Sequence, residues 1–567
     1  MTEQQRICWR IMDACLREDV RQILSLGRQV EQDDQHWLEL EHLGTPLRLP
    51  VTECDYMQSL RATASHWFYQ SEGRWRQESG HRAWLGRLMA GLEQDEQALY
   101  LSYMDEADAA VEQGELCHQA FVEQAGQLAL PRDGMDWGER LLHADRLASF
   151  LDHPYYPTAR AKFGFSRAQL RAYAPEFAPV FELHWLALPA ARVTLTGPLP
   201  DWWPGFEQVG LAASLVHSHV LLPVHPLTWQ QLGPLPTDAL PAPRTFLPVV
   251  PTLSVRTLAL KDHPTEHLKV PLAMATLGQK NIRLIKPSTL YDGHWFARCL
   301  TRLEQNDERL RGRYRHVDES VAGHLGDDKH YAFLLRRYPE PGAGETLVPV
   351  AALCSPLPDG RPYIAGLLAQ QGGPGLEDWW QQYCELMAVV HLRLWLKYGI
   401  ALESNQQNAV LSITPNQPLS LVMKDNDAAR LWPARFSRVC PPLAGSLDEL
   451  KDARILVDDE LALGQMFITI TLQLDLAAVL EGLAEQGWLD REWGYRMLRL
   501  SLRRELDALH REGLDTRLAE ELLFSAEHQY VKYLLQSGSL LSKQGSGAAD
   551  INKFYGLSGP NFLRGSE

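Results

Sequence analysis

An apolar run from Leu376 to Tyr398 stops at Gly399, and the ten residues from Gly399 to Asn408 (Gly-Ile-Ala-Leu-Glu-Ser-Asn-Gln-Gln-Asn) are followed at once by another apolar stretch. The run reads as a helix ended by its glycine. Ala409–Ile413 and Leu419–Met423 read as two strands joined by a turn at Asn416-Gln417-Pro418. Lys424-Asp425-Asn426-Asp427 closes the unit. Such a hairpin brings Glu403, Gln407 and Asn408 near Asp425. Clustered carboxylates and amides suit a hard cation, which takes oxygen ligands, and Mg²⁺ usually keeps waters and substrate phosphates as well. Protein kinases hold Mg²⁺ on ATP with a comparable Asn followed by an Asp. The same residues also fit a plainer account, with Asn405 and Asn408 as turn formers and Asp425 as a hairpin charge. Local sequence leaves both open.

A chain of 567 residues exceeds one hydrophobic core, so two to four domains are expected. The net charge of −16 argues against a general nucleic-acid or anionic-membrane binder, while leaving room for a local basic pocket. The first residues lack the apolar core of a signal peptide, and no stretch is expected to span a membrane. Eight scattered cysteines without a CxxC pair read as free thiols in a reducing cytoplasm.

Residues 1 to about 150 read mainly as helix, with Thr45–Tyr56 as a short hairpin. His153 to Phe165 is a proline- and glycine-broken loop carrying Arg160 and Lys162; a basic loop suits a polyphosphate or carboxylate, and a solvated loop has the same composition. From Leu183 onward short β-branched runs mark a sheet-rich middle: Ala191–Thr196, Val216–Val224, Thr245–Leu260, Ala332–Tyr338 and Leu347–Leu353. Read as strand, Thr252–Thr257 turns Ser254 and Arg256 to one face, where a hydroxyl and a guanidinium can meet one anion; a half-buried strand wetted on that face fits equally. The tail reads as helices over Phe467–Leu483, Asp490–Glu512 and Arg517–Leu535, ending in a loose segment that contains Lys543.

Taken in order, these motifs resemble the NRPS-independent siderophore (NIS) synthetases of the IucA/IucC, aerobactin-synthetase-like family. His153 to Phe165 resembles the family pattern HPxHPxxKxRxGF, Val224-His225-Pro226 a second HP loop, Ser254-Val255-Arg256-Thr257 the SxRT motif, and Gly399 to Asn408 the pattern GxxLExHxQN. Lys269 and Asp425 stand where the family has a following lysine and an acidic strand end.

The resemblance implies an α+β multidomain fold shaped as a cupped hand: a helical thumb over 1–165, sheet-rich fingers over 166–375 and a mixed palm over 376–567. It implies adenylation of citrate or a related acid by ATP, then attack of an amine or alcohol, with AMP and pyrophosphate released. It assigns the nucleotide to Ser254, Arg256, Thr257, Lys269, Arg160, Lys162, Gln407, Asn408 and Asp425, with Mg²⁺ on Glu403, Asn408 and Asp425. Arg283, Glu403, Asn405 and His225 are the candidate catalytic residues, Arg283 as the guanidinium fork for a substrate carboxylate. Small-molecule substrates are the expected partners, and homodimers are common in the family.

The chain departs from the pattern at Tyr156 and Asn405, which stand where the family has histidines, and at Arg160 and Lys162, where lysine and arginine are exchanged. The spacing before Arg283 also differs. Asparagine donates and accepts hydrogen bonds but cannot carry charge or move a proton. These departures leave 2-oxoglutarate or a citryl monoamide as alternative acids. A kinase-like phosphotransferase, lacking here both HRD and an N-terminal Gly-rich loop, and a non-catalytic binding relative are the competing classes. His217, His219, His263 and His267 complete no metal-ligand set in sequence.

Overall fold

The protein, described here by a computed structural model, is followed through residues 1–131, 134–276, 278, 282–542 and 554–564. Lys543 lies outside the described residues.

The chain opens with the helix Glu3–Arg17, started by a capping box in which Thr2 and Gln5 satisfy each other's backbone donors. The expectation of a mainly helical first 150 residues then fails, because residues 28–79 form a six-stranded antiparallel sheet. Leu47–Glu53 is one strand within it, paired with Gln35–Leu40, His66–Ser71 and Leu60–Ala62, rather than part of an isolated hairpin. The physical reason lies in the turns. Asp33-Asp34 and Glu72-Gly73 all have positive φ, the geometry of tight two-residue hairpins, with Gln32 opposite Gln35 and Ser71 opposite Arg74. Trp67 of the sheet and Trp84 of the helix His81–Met89 meet edge to face, 5.3 Å apart, in the fully buried core. The long helix Gln94–Glu123 follows.

The sheet-rich middle is a nine-stranded antiparallel sheet drawn from residues 181–337. At its centre Phe246–Pro251, Thr257–Leu260, Glu266–Lys269 and Ala332–Arg337 lie side by side. A separate four-stranded sheet holds Tyr314–His316, Ser420–Met423, Ala409–Ile413 and Thr346–Pro349 in that order. The hairpin read from sequence is thus present, with Val410 opposite Val422 and Leu411 opposite Leu421. Its two outer strands come from residues before 376, so the expected boundary at 375 cuts through one sheet.

The helix Leu376–Arg393 continues through a wider turn to Tyr398 and stops at Gly399, whose φ is +69°. A Cβ there would sit 3.1 Å from Cβ of Arg435 and 3.2 Å from the Trp432 carbonyl, so glycine is required by both conformation and space. This helix packs on Arg491–Arg511. Glu460–Glu485 is long and apolar enough to cross a membrane by length and composition, but 89% of its most apolar window is buried inside the protein. The third tail helix ends early. Helical geometry stops at Ser525, and His528–Lys532 is a strand paired with Tyr555–Pro560, a partner that local periodicity cannot reveal.

Arg393 ties these helices together. Its side chain is 1% exposed and pairs with Glu505 at 3.2 Å, Asp307 at 3.4 Å and Glu512. Asp307 sits at the end of Pro287–Asn306 and also accepts from Lys397 and Tyr398. Removing one partner of such a network leaves buried charge uncompensated. Arg393→Ala is expected to destabilise the protein by about 3–5 kcal/mol, read as a lower urea midpoint.

Candidate functional site

Residues Thr252–Thr257 do not form the strand expected from sequence. They make a tight turn between Phe246–Pro251 and Thr257–Leu260, in which the Thr252 amide and hydroxyl both donate to the Thr257 carbonyl and the Thr257 amide donates to Oγ of Ser254. Val255 has φ +64°, a left-handed conformation unusual for a β-branched residue, and is held there by packing against Leu227, Leu272 and Met274. Ser254 therefore fastens the turn. Arg256 leaves it in another direction and donates to the Leu284 carbonyl at 2.8 Å.

Lys269 ends the neighbouring strand, opposite Thr257, and its Nζ lies 2.5 Å from Oδ1 of Asp425. Arg336, one strand further on, reaches the same oxygen at 2.7 Å and Glu319 at 2.7 Å. Asp425 itself takes a left-handed conformation just past the strand Ser420–Met423. Burial opposes its charge, but Arg336 and Lys269 outweigh burial and hold its carboxyl far below the usual range. Arg336 and Glu319 escape sequence reasoning. The available signal was a charged pair, Arg336-Arg337, closing an otherwise apolar strand.

Arg256, Lys269, Glu319 and Asp427 line a cavity of about 190 Å³ whose far wall is Leu284, Ile285 and Leu290. Arg256 is lowered by burial, with Asp425 and Asp427 acting against that shift. Arg283 adjoins them: burial and the neighbouring Arg256 bring it down to about 10, opposed by Glu403 and Asp425, and its Nε donates to Thr276 at 2.6 Å. Glu403 opens on a second cavity, of about 390 Å³, with Arg430, Lys532, Tyr530 and Met466. Burial raises its pKa, Lys532 and Arg430 pull it down, and Asp427 and Asp425 push it up again.

The loop holding Glu403 is shaped by its asparagines. Oδ1 of Asn405 accepts from the Gln407 and Asn408 amides, both at 3.0 Å, and Nδ2 of Asn408 donates to the Glu403 carbonyl at 3.1 Å. Asn408 is joined to the acidic segment by the Lys424 amide, which donates to its carbonyl at 3.1 Å. The turn-forming account of Asn405 and Asn408 is therefore correct, and it coexists with the convergence of Glu403 on Asp425.

Three expected residues stand apart. Arg160 is buried against Asp152 at 2.9 Å and donates to the Ser149 and Phe150 carbonyls; Lys162 is buried against Glu176 at 2.5 Å. Neither offers a free charge, because the loop uses both to hold itself on the helices beneath. His225 is wholly buried, accepts from the Leu227 amide at 3.1 Å to start the helix Pro226–Gln231, and is pushed down to about 3 by burial. Thr257 contributes its backbone to the turn and is buried.

As to metal, no cluster of three or more His, Cys, Asp or Glu fit to hold an ion occurs among the described residues. Three mutually repelling carboxylates, Glu403, Asp425 and Asp427, nevertheless face this region. A cation that takes one or two carboxylates and completes its shell with phosphate and water fits such a set.

Residues 141–355 match the model of the IucA / IucC family, and residues 377–543 match one described as ferric iron reductase FhuF-like transporter. That middle segment of the chain is an IucA/IucC family region. Staphyloferrin B synthase of Staphylococcus aureus is 24% identical across 97% of this chain and 96% of its own length. Aerobactin synthase of Escherichia coli is 25% identical across 53% of this chain and 58% of its own. Among solved structures, petrobactin biosynthesis protein AsbB from Bacillus anthracis superposes with a TM-score of 0.76 at 15% identity, over 99% of this chain and 95% of that one. ATP-bound aerobactin synthetase IucA from Klebsiella pneumoniae gives 0.72 at 16%, over 99% and 100%. The mixed helix-and-sheet fold described above is the fold of these proteins.

The pattern GxxLExHxQN, which Gly399 to Asn408 resembles, has a histidine at the position of Asn405. In this chain two other histidines make the same local bond: His153 Nδ1 accepts from the amides of Tyr155 and Tyr156, and His225 from that of Leu227. Asn405→His should therefore keep the turn through Nδ1, whereas Asn405→Ala should lose about 1 kcal/mol of local stability. Hydrogen exchange at the 407 and 408 amides is the check, with roughly 5-fold faster exchange expected in the alanine variant and little change in the histidine variant.

Proposed function

We propose that the protein is an ATP-dependent, AMP-forming ligase of siderophore biosynthesis that adenylates citrate or a related polycarboxylic acid and passes the acyl group to an amine or alcohol. The observation that carries this reading is the cationic set Arg256, Lys269 and Arg336 gathered on Asp425 beside a cavity with an apolar wall, with Arg283 and Glu403 leading to a second cavity. Relatives named as synthases of staphyloferrin B and aerobactin, and the ATP-bound neighbour, support it.

In this reading the triphosphate lies along Arg256 and Lys269, with the base against Leu284, Ile285 and Leu290. Attack of the acid's carboxylate on the α-phosphorus forms an acyl-adenylate and expels pyrophosphate. Fixed cations stabilise the charge that gathers on the leaving group. Glu403, Asn408 and Asp425 would hold Mg²⁺, which when bound adds Lewis-acid neutralisation of phosphate charge. Arg283 receives a carboxylate of the acid. Its depressed pKa of about 10 still leaves it charged at neutral pH. The second cavity takes the rest of the acid and the nucleophile, whose amine must reach the acyl carbon without its proton. Arg160, Lys162 and His225 are given structural duties. The thumb, fingers and palm of the cupped hand become residues 1–165, the nine-stranded sheet with its flanks, and the four-stranded sheet with the C-terminal helices, in the cytoplasm.

The test is product analysis with Mg-ATP and a panel of citrate, 2-oxoglutarate and succinate, each with and without diamines, serine and ethanolamine. AMP and pyrophosphate with one acid are expected. ADP would assign a phosphotransferase, and tight ATP binding without turnover a non-catalytic relative. Arg256→Ala and Asp425→Asn should each lower acid-dependent pyrophosphate release by about 10²–10³-fold while circular dichroism stays that of the parent. Near-normal release in both would remove the site.

A further inference from the structure

We propose that Asp475 is a positioning residue of this site: its buried carboxyl clamps the Glu403–Asn408 loop from behind, through Ser404, and so fixes Glu403 relative to Asp425. Asp475 lies within the apolar helix Glu460–Glu485, is 0% exposed, and has no ion-pair partner among the described residues. Tyr383 donates to its Oδ1, and Oγ of Ser404 lies 3.5 Å from its Oδ2, at the outer edge of hydrogen-bond reach. Ser404, itself 0% exposed, also lies 3.6 Å from Sδ of Met423. Met423 ends the strand that delivers Lys424 and Asp425, and Ser404 is flanked by Glu403 and Asn405. One chain of contacts, Tyr383–Asp475–Ser404–Met423, thus joins the two carboxylate-bearing segments.

A leucine would pack better at such a place if packing were the only demand, since a buried carboxyl costs free energy unless its bonds are made. The helix is also wound wider than an α-helix over Phe467–Ala477, a local geometry frequent at functional sites. Gln473, two residues earlier, serves neighbouring parts of the molecule: its backbone carbonyl accepts from the Tyr155 hydroxyl at 2.7 Å, and its side-chain amide donates to the Tyr530 carbonyl at 2.8 Å.

Burial pushes the Asp475 carboxyl up to about 8, with Tyr383 and Ser404 drawing it down. The titratable group that faces it is Tyr383, beyond which lie the thiols of Cys384 and Cys354. The neutral acid can accept from Tyr383 and donate to Ser404, leaving the Ser404 proton for Met423. In the unfolded chain the same group ionises near 3.8. Between these two values the unfolded state binds fewer protons, so the contribution of this group to stability falls as pH rises and is spent above the folded value.

The proposal rests on the ligase reading only for its activity readout. Asp475→Asn, Asp475→Ala and Ser404→Ala should be compared by kcat and KM across pH, by thermal midpoint across pH, and by hydrogen exchange at residues 402–408. The asparagine variant, which keeps one donor and one acceptor, should rescue: kcat within about 3-fold of the parent, without the decline expected of the parent as pH rises through about 8. Its thermal midpoint should gain on the parent from near pH 4 to near pH 8. The two alanine variants should lose about 10–100-fold in kcat with KM for ATP little changed, and exchange faster at 402–408. Unchanged exchange and kcat in Ser404→Ala, or an asparagine variant as impaired as the alanine one, would overturn the clamp. If Asp475→Ala does not fold, Ser404→Ala and Tyr383→Phe still decide. If the parent turns over no acid at all, the ligase reading fails, and the exchange and midpoint data still judge the clamp.

Discussion

One carboxylate holds the two sheets of the site together. Asp425 follows the four-stranded sheet, while Lys269 and Arg336, which converge on its Oδ1, belong to adjacent strands of the nine-stranded sheet. Bringing these charges out of water is expensive, and a buried ion cluster of this kind is weak as a stabilising device. It also brings two guanidiniums together: Arg256 lies close enough to Arg283 to lower its pKa. Such an arrangement makes sense if a polyanion enters it. The cluster sets the distance between the sheets and the charge of the cavity with the same few atoms.

The loops around this cluster share one construction. His153, His225 and Asn405 each turn a ring nitrogen or amide oxygen back onto amides two or three residues ahead. This is the local side-chain-to-backbone bond that starts helices and closes turns. It lets either asparagine or histidine close the turn at 405. What changes is the far edge of the side chain: a histidine would present a second ring nitrogen, and asparagine does not.

Much of this was legible from residue order. The helix ending at Gly399, the hairpin after it, the short strands of the middle and the convergence of Glu403, Lys269, Arg256 and Asp425 all rest on local pattern plus motif sequence. The failures have common physical causes. Of residues 28–79 only Thr45–Tyr56 reads as β from sequence, because outer strands such as Arg28–Gln32 and Arg74–Ser79 are polar and exposed, and the decisive cues are turn residues such as Asp33-Asp34. His528–Lys532 is a strand only because Tyr555–Pro560 returns to pair with it. Ser254 and Arg256 were placed on one strand face because a left-handed valine cannot be read from sequence. Arg160 and Lys162 looked available because Asp152 and Glu176, which neutralise them, belong to contacts that sequence spacing does not show.

Two of the departures from the pattern that the chain resembles, Tyr156 and Asn405, are built into the structure in different ways. Tyr156 donates to the buried Glu106 and bonds Ser539 at 2.7 Å, so the phenol anchors the tail. Next to Ser539, Gly538 presses on Gly278 so closely that a Cβ on Gly278 would lie 2.4 Å from the Gly538 carbonyl. Gly278 belongs to the segment between Thr276 and Arg283, which carries the carboxylate-facing guanidinium of the proposed site. Asn405, through its turn, borders Glu403 and the larger cavity. Neither change touches Arg256, Lys269, Arg336 or Asp425. Tyr156 is wholly buried on Glu106 and Ser539 and Asn405 is spent on its turn, while the charged cluster on Asp425 keeps all its members.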